Sequence, residues 1–532
     1  MFRAAAIVLT ILLSGCSHLP FATAQAAGLV QAAGVEGAND AVKKGILAGS
    51  TPKTIFDVRQ KLLGFGGKFK THIVANRGHE NPKEGSFSWF ETYTGPIPGG
   101  TVKDGELYIG FFSERQGDTL QVMQGFEPGL MIEIIAWDAT KQQYDFWELI
   151  GTGKGSEWHF RGDSNDVLAD VAAINTKDAH PAFGTRLRCS GCHTQGGPIM
   201  KELAAPNNDW WTDAHRLELA DMKLKAGTNA QDPANVAAAL FHGAKDASDL
   251  AGDVKLGINK LMDARDRRGG DGQSVKQQLR PLFAPMEINL ASDAKPFRER
   301  TAGSVELPSG FFVDERLAGG DLPAIKVPTG AYAGALAAAG SRFAPDEANT
   351  AETFHAFVVP VRSYIDNRAI DGLEARGLVD PELVADVLAV DFTNPLHSAA
   401  RAGLIRYVPD HAHDAADLRA QLIAALGPAK GDPAARELLA NLTDPARTAA
   451  AHRTRARAFA ATAAKAAPEA IGDWLRMASQ RRAEVKAAET SKNPRGQILE
   501  PGFRVIFPVD HLQPQPGALH LDETTARLAV RR

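Results

Sequence analysis

Arg188-Cys189-Ser190-Gly191-Cys192-His193, continued by Thr194-Gln195-Gly196-Gly197-Pro198-Ile199-Met200, is the stretch around which the rest of the chain has to be arranged. Cys-x-x-Cys-His is the attachment signature of c-type haem. Two thiols at this spacing can each bond one vinyl group of a porphyrin. The adjacent imidazole then falls under the iron as axial ligand and sets electron density at the metal. Cys189 and Cys192 are therefore the expected thioether residues, His193 the expected iron ligand, and one covalent haem c the expected cofactor. The motif uses two of only three cysteines in 532 residues, which makes coincidence a poor explanation. Other uses of the pair lack context: zinc needs further clustered ligands, and a thioredoxin-like redox pair sits near a βαβ pattern.

Gly196-Gly197-Pro198 predicts a tight turn directly after the ligand. A carbonyl of that turn accepting the ring N–H of His193 would raise the basicity of the ligating nitrogen; a plain turn is the alternative. The opposite face of the iron decides between carrier and catalyst. A Met or His there fills the coordination sphere and favours outer-sphere electron transfer, whereas an open position admits small ligands. Met286, which follows Pro285 in an expected loop, is the preferred sixth ligand. Met200 lies only seven residues from His193 and on its side, while Met222 and Met262 fall in helical patterns. Packing is the default role for every one of these methionines. His72, His79, His159, His180, His215 and His242 are further imidazoles that no motif separates. Asn207-Asn208-Asp209-Trp210-Trp211 offers an indole either to the haem edge or to an ordinary core.

At the start of the chain, Met1-Phe2-Arg3 precedes an apolar run from Ala4 to Leu13, closed by Leu13-Ser14-Gly15-Cys16. This reads as a secretion signal too short to span a bilayer. Its end resembles a bacterial lipobox, which implies that Cys16 is lipidated and becomes the new N-terminus. Ser17 after it, rather than Asp, implies sorting to the outer membrane. An ordinary cleaved signal with an incidental cysteine is the alternative. Export and haem attachment support each other, since c-type haem is attached outside the cytoplasm in bacteria. All three thiols then have a use, and none is left to pair wrongly in an oxidising compartment.

With 44% hydrophobic and 23% charged residues and a net charge of −4, the chain has the composition of ordinary globular protein and no feature of a nucleic-acid binder,. Residues 1–16 are read as the lipoprotein signal and 17–50 as a flexible Ala- and Gly-rich tether. Residues 51–165 form a β-rich region, because Leu107 to Phe112, Leu130 to Trp137, Tyr144 to Ile150 and Glu157 to Phe160 are short aromatic and β-branched runs parted by turns. Connections this short demand antiparallel neighbours. The haem segment, 166–300, opens with a helix near Asp166. Residues 301–532 are mostly helical, with Asp-Pro helix starts at 380, 432 and 444 matching one at 232. Arg453, Arg455, Arg457, Arg481 and Arg482 are read as an outward, solvated face, or else as a docking patch. The Pro-rich last thirty or so residues read as an irregular surface tail. The fold class is α+β: an antiparallel meander, a helical haem c segment and a largely α-helical C-terminal half.

An aromatic-rich sheet leading into the haem peptide resembles the cytochrome P460 family, compact β proteins with a c-type haem motif near their C-terminal end. Members of that family oxidise small nitrogen compounds. The resemblance spans about residues 85–193 and rests on element order and the motif. In that family a side chain from an upstream strand is cross-linked to the haem; Lys68 and Lys70 lie upstream but in no matching motif, and neither takes the role. The expected function is thus an exported cytochrome that exchanges electrons with a redox partner protein or a small-molecule donor or acceptor. The alternative is a haem-dependent oxidoreductase with an open distal site, acting on small nitrogen compounds or peroxide. A haem sensor or scaffold is the outsider. A dihaem peroxidase is disfavoured by the single motif.

Overall fold

The computed structural model describes residues 35–75, 87–111, 129–174, 189, 193–198, 243–245, 247–293, 302–320, 322, 324–339, 356–396, 398–491 and 519–530. The protein is α+β, with 48% helix and 21% antiparallel strand, so helix is the larger part. Strands β1 (Lys68–Ala75), β2 (Phe87–Ile97), β3 (Gly100–Val102), β4 (Leu107–Phe111), β5 (Gly129–Asp138), β6 (Gln143–Gly151) and β7 (Ser156–Asp163) make one sheet. Its order is β1-β2-β4-β5-β6-β7, with β3 hairpinned onto β2. The Asp138 carboxylate shapes the turn from β5 to β6 by accepting the Thr140 and Lys141 N–H groups at 2.8 and 3.1 Å, a use that favours Asp in turns.

Alternation along the strands gives the two faces different work. Leu107, Ile109, Ile132, Ile134, Trp147 and Leu149 point to one face, where α1 (Ile55–Gly64) covers them with Ile55, Val58 and Leu62. A capping box formed by Thr54 and Asp57 starts that helix,. Tyr108, Ile135, Tyr144 and Phe146 occupy the other face. They pack against Val167 of α2 (Ser164–Ile174) and against Leu250, Val254, Ile258 and Leu261 of α3 (Ala247–Arg267). Helix α3 approaches the sheet closely at Gly257, where a Cβ would overlap the Tyr108 and Tyr144 hydroxyls.

From residue 35 onward the tether reading of residues 17–50 is corrected. Val42 and Ile46 are fully buried under the sheet, and the Asp40 carboxylate accepts the Trp147 indole N–H at 2.9 Å and the Val42 N–H at 2.6 Å. Small residues let this backbone lie close to its neighbours, so a composition that resembles a linker here serves tight packing. Asp40 is hydrogen-bonded to Asp145 of β6, which also meets Lys141. Burial and then the Asp40 charge push the Asp145 carboxyl up to about 9, against the pull of Lys141; burial raises Asp40 as well.

A raised folded pKa means that the proton is held more tightly folded than unfolded. The resulting stability is complete below the ordinary carboxylate value of about 4 and is lost as pH rises through the folded value. Wild type is therefore expected to lose stability between about pH 4 and about pH 9, and Asp145→Asn to show a flatter profile. Denaturant titrations across that window check it; parallel profiles would mean the pair ionises without penalty.

The helical half contains α4 (Val275–Phe283), α5 (Thr329–Ala338), α6 (Tyr364–Ala375), α7 (Pro381–Leu388), α8 (Ala415–Leu426), α9 (Pro433–Thr443) and α10 (Ala449–Ser491). Small antiparallel pairs lie among them: β8 (Ile288–Ala291) with β11 (Val359–Arg362), and β9 (Ser304–Leu307) with β10 (Ile325–Pro328). Asp380 and Asp432 cap α7 and α9, accepting the Leu383 and Ala434 N–H groups at 2.6 and 3.1 Å, as their Asp-Pro sequences predict. Asp444 behaves differently. It ends α9, and its carboxylate closes a turn onto the Ala446 N–H at 2.9 Å, so the next helix starts only at Ala449. The Asp232-Pro233 start and the helices expected over 202–205, 213–225 and 233–242 lie outside the described residues.

Ala456, Phe459, Ala463, Ala467, Ala470, Trp474 and Ala478 recur every three or four residues along α10 and are buried, which puts that helix at the centre of the C-terminal core. Arg481 corrects the outward reading of its charges. It is buried, and its guanidinium donates to the Phe311 carbonyl and, at 2.7 Å, to the Thr393 carbonyl. An arginine can thus be drawn inward by backbone acceptors that no local pattern announces. Arg455 does stay exposed, paired with Glu523 at 2.7 Å. The surface-tail reading is also corrected where the structure describes it: β12 (Leu519–Leu521) and β13 (Leu528–Val530) form a hairpin with Leu519 and Leu521 buried. The Trp474 indole donates to the Ala526 carbonyl at 2.8 Å and holds that hairpin on α10. Among the described residues, no helix is long and apolar enough to cross a membrane.

Candidate haem-attachment site

His193 is buried, and its backbone N–H donates to the Cys189 carbonyl at 2.8 Å. That turn, four residues long, brings thiol and imidazole to one side of the backbone. Cys189 is fully buried in the apolar cluster of Tyr144, Phe146, Val167 and Leu261; Cys192, like Cys16 and Met200, lies outside the described residues. Gly196 donates back to the His193 carbonyl at 2.7 Å. Its φ of 68° lies in the left-handed region open to glycine,, and a side chain there would run into the Ser164 backbone. The turn carries the Gly197 carbonyl to 2.8 Å from His193 Nδ1. A carbonyl can only accept, so Nδ1 donates a proton to it and the orientation of the ring is fixed,. Of the two readings of the Gly-Gly turn, the structure shows the one in which its carbonyl meets the His193 ring N–H.

Three hydrogen bonds anchor the loop after His193. The Gln195 amide donates to Asp366 Oδ1 at 2.9 Å, and its carbonyl accepts from the buried Arg265 guanidinium at 3.0 Å. Thr194 donates to the Met286 carbonyl at 3.3 Å. Asp366 Oδ2 in turn accepts the Met286 and Glu287 N–H groups at 2.6 and 3.1 Å, and burial raises this carboxyl despite those bonds. The structure thus brings the main chain of Met286 to the residue that follows His193.

His193 Nε2 faces β5, where Glu133 Oε1 stands 3.4 Å away. Glu133 belongs to a row that crosses the sheet: His72 pairs with Phe90, Phe90 with Gly110, Gly110 with Glu133, Glu133 with Glu148, and Glu148 with His159. With a side-chain period of two, the row shares its face with Tyr108, Tyr144 and Phe146. Arg161 donates to Glu148 at 2.8 Å and offsets its charge. The Phe146 ring stands edge-on to the His193 ring, with centroids 5.4 Å apart. At the β1 end His72 is buried, its Nδ1 without a partner among the described residues, and burial lowers its pKa and favours the neutral ring. Lys70 is taken up by Asp253 at 3.1 Å, and His159 lies half-buried near Glu157 at 3.9 Å.

By kind these residues fit a c-type haem: an imidazole of fixed orientation, a buried thiol one turn before it, and an aromatic neighbour, with Glu133 standing at Nε2. Sequence reasoning did not single out Glu133, Glu148, Arg161, Asp366 or Arg265. A signal for one of them exists, because Glu133 is the lone charge in the apolar run from Leu130 to Trp137. No family model, no curated protein and no solved structure matches the chain.

Proposed function

We propose that the chain is a c-type haem protein, exported and anchored by a lipid on Cys16 at the periplasmic face of a bacterial outer membrane, with one haem held by Cys189, Cys192 and His193. In this reading it exchanges electrons with a redox partner protein or a small-molecule donor or acceptor. The observation that carries the reading is His193, whose Nδ1 is bound to the Gly197 carbonyl, which makes Nε2 the nitrogen that would ligate once Glu133 turns aside. When bound, the haem supplies one-electron redox chemistry. Gly197 orients the imidazole and raises its basicity. Phe146 and the apolar cluster around Cys189 exclude water, which strengthens every charge nearby,. The Glu133 carboxylate facing Nε2 places negative charge where it favours the more oxidised metal.

Glu133 also favours a second reading, a haem-dependent oxidoreductase with an open distal site that acts on small nitrogen compounds or peroxide. With Oε1 only 3.4 Å from Nε2, this carboxylate would have to turn aside for an iron to reach the ring, and it would then be a hydrogen-bonding partner for a small ligand nearby. The test begins with covalent attachment, which should appear as haem stain that survives boiling on a denaturing gel of wild type matured with the haem-attachment machinery. The stain should vanish in Cys189→Ala/Cys192→Ala. A stain retained in the double variant, or absent from wild type, refutes the haem reading. The oxidised spectrum then separates the two functions, low-spin six-coordinate for the carrier and high-spin for the open site.

A further inference from the structure

We propose that electrons enter and leave this protein at the surface around Trp137, along a file of aromatic rings starting at His193, and that an acidic redox protein docks there. The proposal rests on the haem reading above. Phe146 stands edge-on to the His193 ring at 5.4 Å. Tyr144 is the next residue of β6 on the same face, about 7 Å further along the strand. Across the β5–β6 pairing it meets its register partner Trp137, with the rings 5.0 Å apart and nearly perpendicular. Tyr108 flanks Tyr144 at 6.3 Å. The file is rigid, because the Tyr144 hydroxyl is tied to the Gly105 carbonyl and the Tyr108 hydroxyl to the Asp253 carbonyl. Trp137 is only half-buried, so the file ends in solvent. Tunnelling decays exponentially with distance, so a file of closely spaced rings is the route that the described residues offer. The step moves one electron from ferrous iron to a one-electron acceptor in the partner, leaving ferric iron, with no bond or proton transferred.

The surface at this end has the make-up of a docking patch. Leu256 and Tyr364 are large apolar side chains that stay 52% and 40% exposed. Leu256 lies against Gly105, whose neighbour Glu106 accepts the Trp137 backbone N–H at 2.8 Å. Lysines cover the rings, Lys260 at 5.2 Å from Trp137 and Lys255 at 5.4 Å from Tyr364. Of the nearby carboxylates Glu106 is matched by Lys260 and Asp263 by Arg368, while Asp253 and Asp104 share Lys70. Among the described residues Lys255 and Arg267 have no carboxylate partner, so the surplus charge is positive. An apolar centre with a cationic rim calls for a partner with an acidic rim.

The test uses reduced full-length holoprotein oxidised by ferricyanide or by hexaammineruthenium(III) in stopped flow. Ferricyanide oxidation should slow as salt rises, and at low salt it should fall roughly tenfold in Lys255→Glu/Arg267→Glu. Trp137→Leu should slow both oxidants without moving the haem spectrum or midpoint potential, and Trp137→Tyr should restore the rates. In a readout that needs no electron transfer, added polyglutamate should protect Lys255 and Lys260 from acetylation. Rates and protection equal to wild type in these variants would overturn the exit surface and leave the haem reading standing. Loss of haem stain from wild type would remove both.

Discussion

Asp366→Ala should lower the stability of the folded protein by about 3 kcal/mol or more, because it strips the acceptor from several buried donors at about 1–3 kcal/mol each. Those donors are the Gln195 amide and the backbone N–H groups of Met286 and Glu287. Asp366 sits in the first turn of α6, itself bonded to the capping Ser363, and so joins the helical half to the loop that presents His193. Asp366→Asn keeps one oxygen acceptor and should lose less. Urea titration measures both losses. A midpoint for the Ala variant equal to wild type would show that the loop is held by its other anchors alone.

With the haem bound as proposed, His193→Ala should leave it in the chain, since thioether bonds to Cys189 and Cys192 would not depend on the imidazole. The absorption spectrum and the midpoint potential should both change, because axial ligation is what sets them. Added imidazole should refill the space and restore much of the wild-type spectrum. An unchanged spectrum in the variant would mean that another residue ligates the iron. A lost haem stain would mean that the imidazole is needed for attachment itself.

The site was legible in sequence where its parts are close along the chain. His193, the glycine turn after it and the carbonyl that fixes the ring all fall within five residues, from 193 to 197, and local geometry ties them together. Glu133 and Asp366 meet the same loop from strand and helix positions 60 residues before His193 and 171 residues after Gln195, separations that no local pattern spans. The sheet could be read because β5 and β6 are short apolar runs rich in aromatic and β-branched residues and parted by turn residues,. Residues 35–46 could not, since composition alone cannot tell a loose linker from small residues packed flat on a sheet. Arg481 was misread for the converse reason. Charge implies solvent unless buried carbonyls are waiting, and those of Phe311 and Thr393 lie 170 and 88 residues away.

The row from His72 to His159 exists only because five strand pairings bring six positions into line. Loss of a single residue between Met131 and Glu133 would turn Ile134 toward His193 and send Glu133 among Trp147 and Leu149, trading the carboxylate that faces Nε2 for a buried unpaired charge,. Loss of two residues would restore the facing but slide Glu133 about 7 Å along the sheet, out of reach of Nε2. Length can therefore change in the turns and between the helices of the C-terminal half, whereas β4, β5, β6 and β7 are locked in length by the residues they must keep side by side.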